Sequence, residues 1–272
     1  MPKIIFSTPF TGKTPWQGEY PLKPRKSTGW SDGGGGFKGQ DWFERRHKIF
    51  RELTLKSLYN QTDKDFLIWL QFRPQEKNNP VTEKIENEIK KSGLKYILTF
   101  DGPIMMEDQA TWHNFNLIER AERSLKQLEP IDEDYVVEFS LDSDDMIHKK
   151  MVELLRSKEM KEHGAFYMRK GFMYSVNGKM ADWENPHSMS LYAIVYPTDV
   201  FLDATRHFMH QNGLNSHEQI PKLFDAEELP NGMFCCPNHG LNISTVWDHP
   251  FRKKEYFYQD EIEQILKDFK IN

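Results

Sequence analysis

Apolar positions fall into short continuous runs separated by stretches with helical spacing. Ile4-Ile5-Phe6, ended by Ser7-Thr8-Pro9, predicts a buried first strand. Asp41 is placed to cap a helix that carries Phe43, Ile49, Phe50, Leu53, Ser57 and Leu58 on one face and ends near Gln61-Thr62. Phe66 to Leu70 is unbroken apolar sequence before Arg73-Pro74, the pattern of a strand buried on both faces. A helix over Val81 to Lys91, stopped by Gly93, leads to a strand over Lys95 to Phe100, closed by Asp101-Gly102-Pro103. Asp108 to Leu128 is helical in character, and Tyr135 to Leu141 is the next strand.

Strand and helix alternate through this half, which predicts an α/β fold with a mostly parallel central sheet and helices on both faces. Ile147, Met151, Leu154 and Leu155 mark one further amphipathic helix. Beyond residue 164 the texture changes to short aromatic strands (Ala165 to Met168, Phe172 to Val176, Leu191 to Tyr196) and turns such as Asn177-Gly178, which predicts a mixed, antiparallel region. Asp260 and Glu263 resemble a capping box for a terminal helix that buries Ile262, Ile265, Leu266 and Phe269. The expected organisation is one domain over residues 1–272, with residues 1–145 and 146–272 as its two halves. From Thr11 to Gln40 no pattern survives, because Pro15, Pro21, Pro24 and the run Gly33 to Gly36 forbid regular structure. The expectation there is a flap near the site.

Between Gln127 and Ile147 there are eight carboxylates and no Lys or Arg. Their tightest group is Leu141-Asp142-Ser143-Asp144-Asp145, at the carboxyl end of a strand, where ligands of open α/β sheets bind. Like charges about 4 Å apart repel by about 1–4 kcal/mol, so three clustered carboxylates call for a cation. An oxygen-only donor set suits Mg²⁺, Mn²⁺ or Ca²⁺ rather than zinc. An EF-hand loop starting at Asp142 fails at its sixth position, which is Ile147 where that turn needs glycine. A plainer alternative has Asp145 capping a helix that begins at Met146, with Asp142 and Asp144 as solvated loop residues.

Phe50-x-x-x-Thr54-Leu55-x-Ser57-Leu58-x-x-Gln61-Thr62-x-x-x-Phe66, followed by Leu141-Asp142-Ser143-Asp144-Asp145, resembles the putative rhamnosyltransferase family within the GT-A-fold glycosyltransferases. The resemblance covers roughly residues 45 to 160, with a weaker echo at His239-Gly240-x-Asn242-x-Ser244. It implies a GT-A-like (Rossmann-like) sheet with the acceptor-side region C-terminal. It also implies a metal-dependent transferase of the Asp-x-Asp type, moving a sugar such as rhamnose from a nucleotide-diphosphate donor to a glycan or other hydroxyl-bearing acceptor.

By the same resemblance Asp144 is the principal ligand of Mn²⁺ or Mg²⁺. Asp142 shares the metal or faces the ribose, and His239 completes the shell, with His249 behind it. Arg120 and Arg123 are candidates for the diphosphate, with pairing to Glu119 or Glu122 as the alternative, and Thr8 is a candidate for nucleotide contact. Glu218 is the candidate base for the acceptor hydroxyl, ahead of Asp182 and Asp248. The chain departs from the wider pattern at Gln71-Phe72-Arg73-Pro74, where many such enzymes carry an acidic residue.

A net charge of −5 over 272 residues makes nucleic acid an unlikely partner. No apolar run reaches transmembrane length and the N-terminus has no signal-peptide pattern, so the expectation is a soluble cytoplasmic protein. The only cysteines, Cys235 and Cys236, are adjacent; free thiols are expected, with a vicinal disulfide or a soft-metal site with His239 as rivals. Trp16, Trp30, Trp183 and Trp247 lie in loop-like sequence and are the candidates for stacking on a sugar ring. A non-catalytic nucleotide- or carbohydrate-binding protein, and a phosphohydrolase with its nucleophile in the Asp-x-Asp, are the competing functions.

Overall fold

The computed structural model describes residues 1–10, 40–102, 104, 115–175, 177–214, 216–239, 247–256 and 258–269. Of the flap expected over Thr11 to Gln40, all but Gln40 lies outside the described residues, as do Trp16 and Trp30 within it, the start of the helix expected from Asp108, and Gly240, Asn242 and Ser244.

The strands are β1 (Lys3–Pro9), β2 (Leu67–Gln71), β3 (Tyr96–Thr99), β4 (Tyr135–Ser140), β5 (Met146–Ile147), β6 (Gly164–Tyr167), β7 (Lys170–Ser175), β8 (Met180–Glu184), β9 (Tyr192–Pro197), β10 (Asp225–Glu228), β11 (Phe234–Asn238) and β12 (Arg252–Tyr256). The α-helices are α1 (Gln40–Ile49), α2 (Leu55–Tyr59), α3 (Pro80–Ser92), α4 (Phe115–Lys126), α5 (Met151–Arg156), α6 (Thr198–Leu202), α7 (Ala204–His210), α8 (Ile220–Leu223) and α9 (Gln259–Leu266).

Among the described residues, seven strands form the central sheet in the order β10-β6-β9-β4-β1-β2-β3, and of these only β9 runs against the others. The expected mostly parallel sheet is therefore present. Ile4 and Phe6 of β1 pack with Phe43, Phe50, Val81, Ile85 and Ile89 from α1 to α3. Ile5, on the opposite face, packs with Ala121, Leu125, Phe201 and Phe208 from α4, α6 and α7. This alternation buries both faces under helices, as unbroken apolar strands require. A second, mixed sheet of order β12-β8-β7-β11-β5 comes from the C-terminal half and the turn after β4. Strands β6, β9 and β10 of that half belong to the central sheet, so residue 145 marks no boundary between sheets.

Local chemistry explains the helix limits. Asn79 accepts a hydrogen bond from Val81 N at 2.9 Å, and Gly93 ends α3 with φ at +72°, which a side chain resists. The first helix differs from its expected form, because Gln40 precedes Asp41 in α1 and Asp41 is a first-turn residue rather than the cap. A π-turn over Phe50–Thr54 joins α1 to α2. The wider turn shifts the buried face, so Leu53, Thr54 and Leu55 are all buried. Asp145 caps no helix, since β5 follows it and α5 starts only at Met151. Tyr258, not Asp260, is the N-cap of α9, and it makes no side-chain cap bond.

The residues that carried the family resemblance hold the segment after the acidic turn. Ser57 Oγ accepts from Ile147 N at 3.3 Å and Thr62 Oγ1 donates to Lys149 O at 3.0 Å. Gln61 is buried, donating Nε2 to His148 O at 2.9 Å and Ser57 O at 3.1 Å and accepting from Val152 N at 3.2 Å. We expect Gln61→Leu to lower stability by about 2–4 kcal/mol, because His148 O and Val152 N lose their buried partner. Urea denaturation of the two proteins checks this, and a difference below about 0.5 kcal/mol would show that these bonds are dispensable.

Candidate active site

Three separate parts of the chain meet at the carboxyl end of β4. The first is the turn Asp142 to Asp145. Leu141 N donates to Ser7 O at 3.0 Å, extending the β4–β1 pairing by one residue, and Asp145 N then donates to Asp142 O at 3.2 Å to close the turn. Strand β5 follows at once in the other sheet, pairing Met146 with Cys235 and Ile147 with Phe234. The turn thus sits where the two sheets join. The second part is Arg46 on α1, and the third is His239, immediately after β11.

Asp144 is the centre of the cluster. Arg46 grips both of its carboxylate oxygens, Nη2 to Oδ1 at 2.6 Å and Nη1 to Oδ2, while its Nε donates to Ser143 Oγ at 2.7 Å. His239 Nε2 lies 2.9 Å from the same Oδ2. Burial pushes the Asp144 carboxyl up, but the Arg46 charge, and then the hydrogen bond and charge of His239, outweigh it and hold the group below the usual carboxylate range.

Its neighbour goes the other way. Burial first, then the negative Asp144 and Asp142, hold the Asp145 carboxyl well above the ordinary value, and the Cys236 thiol donates to it. Burial and the Asp145 charge in turn push the Cys236 thiol up, and Cys235 and Cys236 are both buried thiols that form no disulfide. Asp142, Asp144 and Asp145 bring one oxygen each within 4.8 Å of one another. Asp142, Asp144 and Asp145 form an oxygen donor set of the kind a hard divalent cation takes; His239 reaches the set through Asp144, and Asp145 also accepts from Cys236.

The other candidates lie around this centre in different ways. Thr8 is fully buried near the end of β1, and its Oγ1 has no hydrogen-bond partner among the described residues. Arg123 Nε donates to Asp101 Oδ1 at 2.7 Å and Arg120 Nε donates to Asp101 O, so both are anchored at the end of β3 rather than paired with Glu119 or Glu122. Gly102 turns there with φ at +85°, and an added Cβ would lie 2.3 Å from Arg120 Nη2. Gln71, in place of an acidic residue, links the strand ends through Ser7 Oγ at 2.6 Å and Ile104 N at 2.7 Å.

Glu218 is exposed on a short 3-10 turn (His217–Gln219) capped by Ser216. The following helix α8 packs on β6 and β10, at the edge of the sheet rather than beside the acidic turn. Asp182 accepts from Tyr256 Oη at 2.8 Å, and Asp248 is 91% exposed with Arg252 3.6 Å away.

Trp183 is only 4% exposed, with Nε1 donating to Met189 Sδ and the ring packed on His249 and Phe251. It is a core residue, and the expectation of a sugar platform there is corrected. Trp247 is half-buried beneath the Arg252 guanidinium, 5.2 Å from the ring centre.

Arg46 and the Cys236 bond to Asp145 escaped the sequence reading. Nothing in Glu44-Arg45-Arg46-His47 distinguishes one arginine from the other; the only available signal was that an acidic run with no local cation must find one elsewhere.

Residues 38–245 match the family described as "Putative rhamnosyl transferase". The chain belongs to that family. Within the matched span, Ser57, Gln61 and Thr62 brace the chain that leaves the Asp142-Ser143-Asp144 turn. The sheet order and the helices on both faces agree with the GT-A-like arrangement expected for it.

Among solved structures, S. aureus TarS 1-349 in complex with UDP is similar at 14% identity and a TM-score of 0.41, over 88% of this chain and 61% of that one. Mouse xyloside xylosyltransferase 1, in its apo form, is similar at 10% identity and a TM-score of 0.33, over 82% of this chain and 74% of that one. The chain spans about 60% of the length of the TarS structures it matches. No curated protein matches the chain. No helix among the described residues is long and apolar enough to cross a membrane.

Proposed function

We propose that this protein transfers a glycosyl group, with rhamnose the sugar its family suggests, from a nucleotide-diphosphate donor to a hydroxyl of a glycan or other acceptor. One observation carries the proposal: in a chain of this family, Asp142, Asp144 and His239 meet at the carboxyl end of β4, the edge at which open α/β sheets bind ligands. Asp142 and Asp144 would hold Mn²⁺ or Mg²⁺, with His239 as a nitrogen ligand. A divalent cation there supplies Lewis-acid stabilisation of the departing diphosphate.

The chain's own residues do the rest. Asp142 orients the ribose or shares the cation, Thr8 meets the nucleotide at the end of β1, and Arg120 and Arg123 offer guanidinium groups to phosphate oxygens. Glu218, exposed and free to take up a proton from a bound hydroxyl, is the proposed base. Residues 1–145 and 146–272 work as one unit in this scheme.

The test is a thermal-shift panel of nucleoside diphosphates with and without Mn²⁺, because a ligand that binds only the folded state stabilises by RT ln(1 + [L]/Kd). A metal-dependent shift, largest for one base, supports the proposal and identifies the donor class; transfer assays with the corresponding sugar nucleotides follow. Tight binding without transfer or hydrolysis across a donor and acceptor panel would favour a binding protein that keeps the fold.

We expect His239→Ala to weaken Mn²⁺-dependent nucleotide binding severalfold and His249→Ala, which alters a ring packed on Trp183, to leave it nearly unchanged. The reverse result would move the ligand role to His249.

A further inference from the structure

We infer that Arg46 is the resident counter-ion of Asp144 and that a divalent cation binds the acidic turn only by displacing it. The inference rests on the metal reading above and adds a competitor within the chain.

The geometry is that of a two-pronged ion pair held on both sides. Arg46 commits one nitrogen to each oxygen of Asp144 and its third to Ser143, and the pair is nearly buried, with side-chain exposures of 13% and 9%. Its guanidinium also lies 5.8 Å from the ring of Trp42, one turn earlier on α1. A planar fork fixed at three nitrogens fills the space in front of the carboxylate that a metal ion would enter.

Arg46 and a divalent cation cannot share Asp144, because the guanidinium keeps its charge at every working pH and would be left against a second positive charge. His239 has no such conflict. Its imidazole carries no permanent charge, and by giving up the proton that Nε2 shares with Asp144 it can become a ligand.

Two consequences follow. In the free turn both oxygens of Asp144 are already taken by Arg46, so a metal ion alone must break that pair to enter and gains little. A nucleoside diphosphate arriving with the metal changes this, since its phosphates give the displaced guanidinium a new anion. Cation and diphosphate therefore bind with positive coupling, and Arg46 is a positioning residue that acts through Asp144.

The test measures Mn²⁺ alone, by the loss of its free-ion EPR signal on titration with the full chain, in the wild type, Arg46→Gln, Arg46→Lys and Ser143→Ala. Arg46→Gln should bind Mn²⁺ at least threefold more tightly than the wild type. Arg46→Lys, a point charge without the fork, should fall between, and Ser143→Ala, which only loosens the arginine, should tighten binding by a smaller factor. Loss of a merely structural residue would weaken metal binding, so the direction separates the two roles.

An Arg46→Gln protein that melts cooperatively and binds Mn²⁺ no more tightly than the wild type overturns the inference and leaves the metal reading standing. Should Arg46→Gln fail to fold, Ser143→Ala decides, and an unchanged affinity there overturns it equally. Failure of every form to bind Mn²⁺, with thymidine diphosphate present as well as absent, overturns the metal reading and this inference together.

Discussion

Asp144→Asn is expected to lower the stability of the fold by about 3–5 kcal/mol, the range for removing one partner of a buried ion pair. Volume alone suggests a harmless substitution, because asparagine is nearly the shape of aspartate. The pair with Arg46 changes that expectation: the guanidinium stays buried and charged, with a neutral amide where both anionic oxygens had been.

The same substitution should abolish any Mn²⁺-dependent thermal shift with nucleoside diphosphates, since it removes the ligand proposed to be the principal one. Adding Arg46→Gln should recover much of the lost stability without restoring the metal-dependent shift. A double-mutant cycle from urea denaturation, beside the thermal-shift assay, separates the two effects. Stability losses for the two single variants that simply add in the double variant would show that the pair contributes no coupling.

The second large effect belongs to Glu138, on β4 and on the sheet face that packs against α4, α6 and α7. Its side chain is 12% exposed at a cavity of about 30 Å³ that Ser7, Ser140, Tyr192 and Gln211 also line. Burial pushes it from 4.5 up to about 7, against the hydrogen bonds of Ser7 and Tyr196, which favour the ionised form. Nearby His207, fully buried and 3.7 Å from Glu138 Oε2, is pushed down to about 3, again chiefly by burial, and supplies no compensating charge at neutral pH.

A raised carboxyl contributes its full stability below the unfolded value, where both states keep the proton. That contribution drains away as pH rises from about 4.5 to about 7, because the unfolded chain releases the proton first. At about 1.4 kcal/mol per pH unit the loss reaches about 3 kcal/mol. Relative to the wild type, Glu138→Gln should therefore be about 3 kcal/mol more stable at pH 8 than it is at pH 4. Urea midpoints for both proteins at four pH values from 4 to 8 give the answer, and parallel curves would mean that Glu138 ionises freely in the folded state.

Much of this molecule was legible in the chain because its signals are local. Unbroken apolar runs at Ile4 to Phe6 and Phe66 to Leu70 specified buried strands, and Gly93 marked the end of α3 by the needs of a few backbone groups. The Asp-x-Asp turn could be placed at a strand end for the same reason. Residue periodicity stopped being informative where tertiary packing set the backbone: the π-turn in the first helix, and the insertion of β5 where Asp145 and Met146 suggested a helix start.

The chemistry of the site lay further from reach. The run of carboxylates showed that positive charge was needed, and a divalent cation was the natural inference because no Lys or Arg lies within the run between Gln127 and Ile147. Folding brings Arg46 from 98 residues away and His239 from 95 residues away onto the same carboxylate, and sets Cys236 on its neighbour. The sequence by itself determined the α/β alternation, the acidic turn and its place at the end of β4. Which charges neutralise that turn was decided only by the tertiary structure, because Coulomb attraction depends on separation in space and a linear chain does not record that separation.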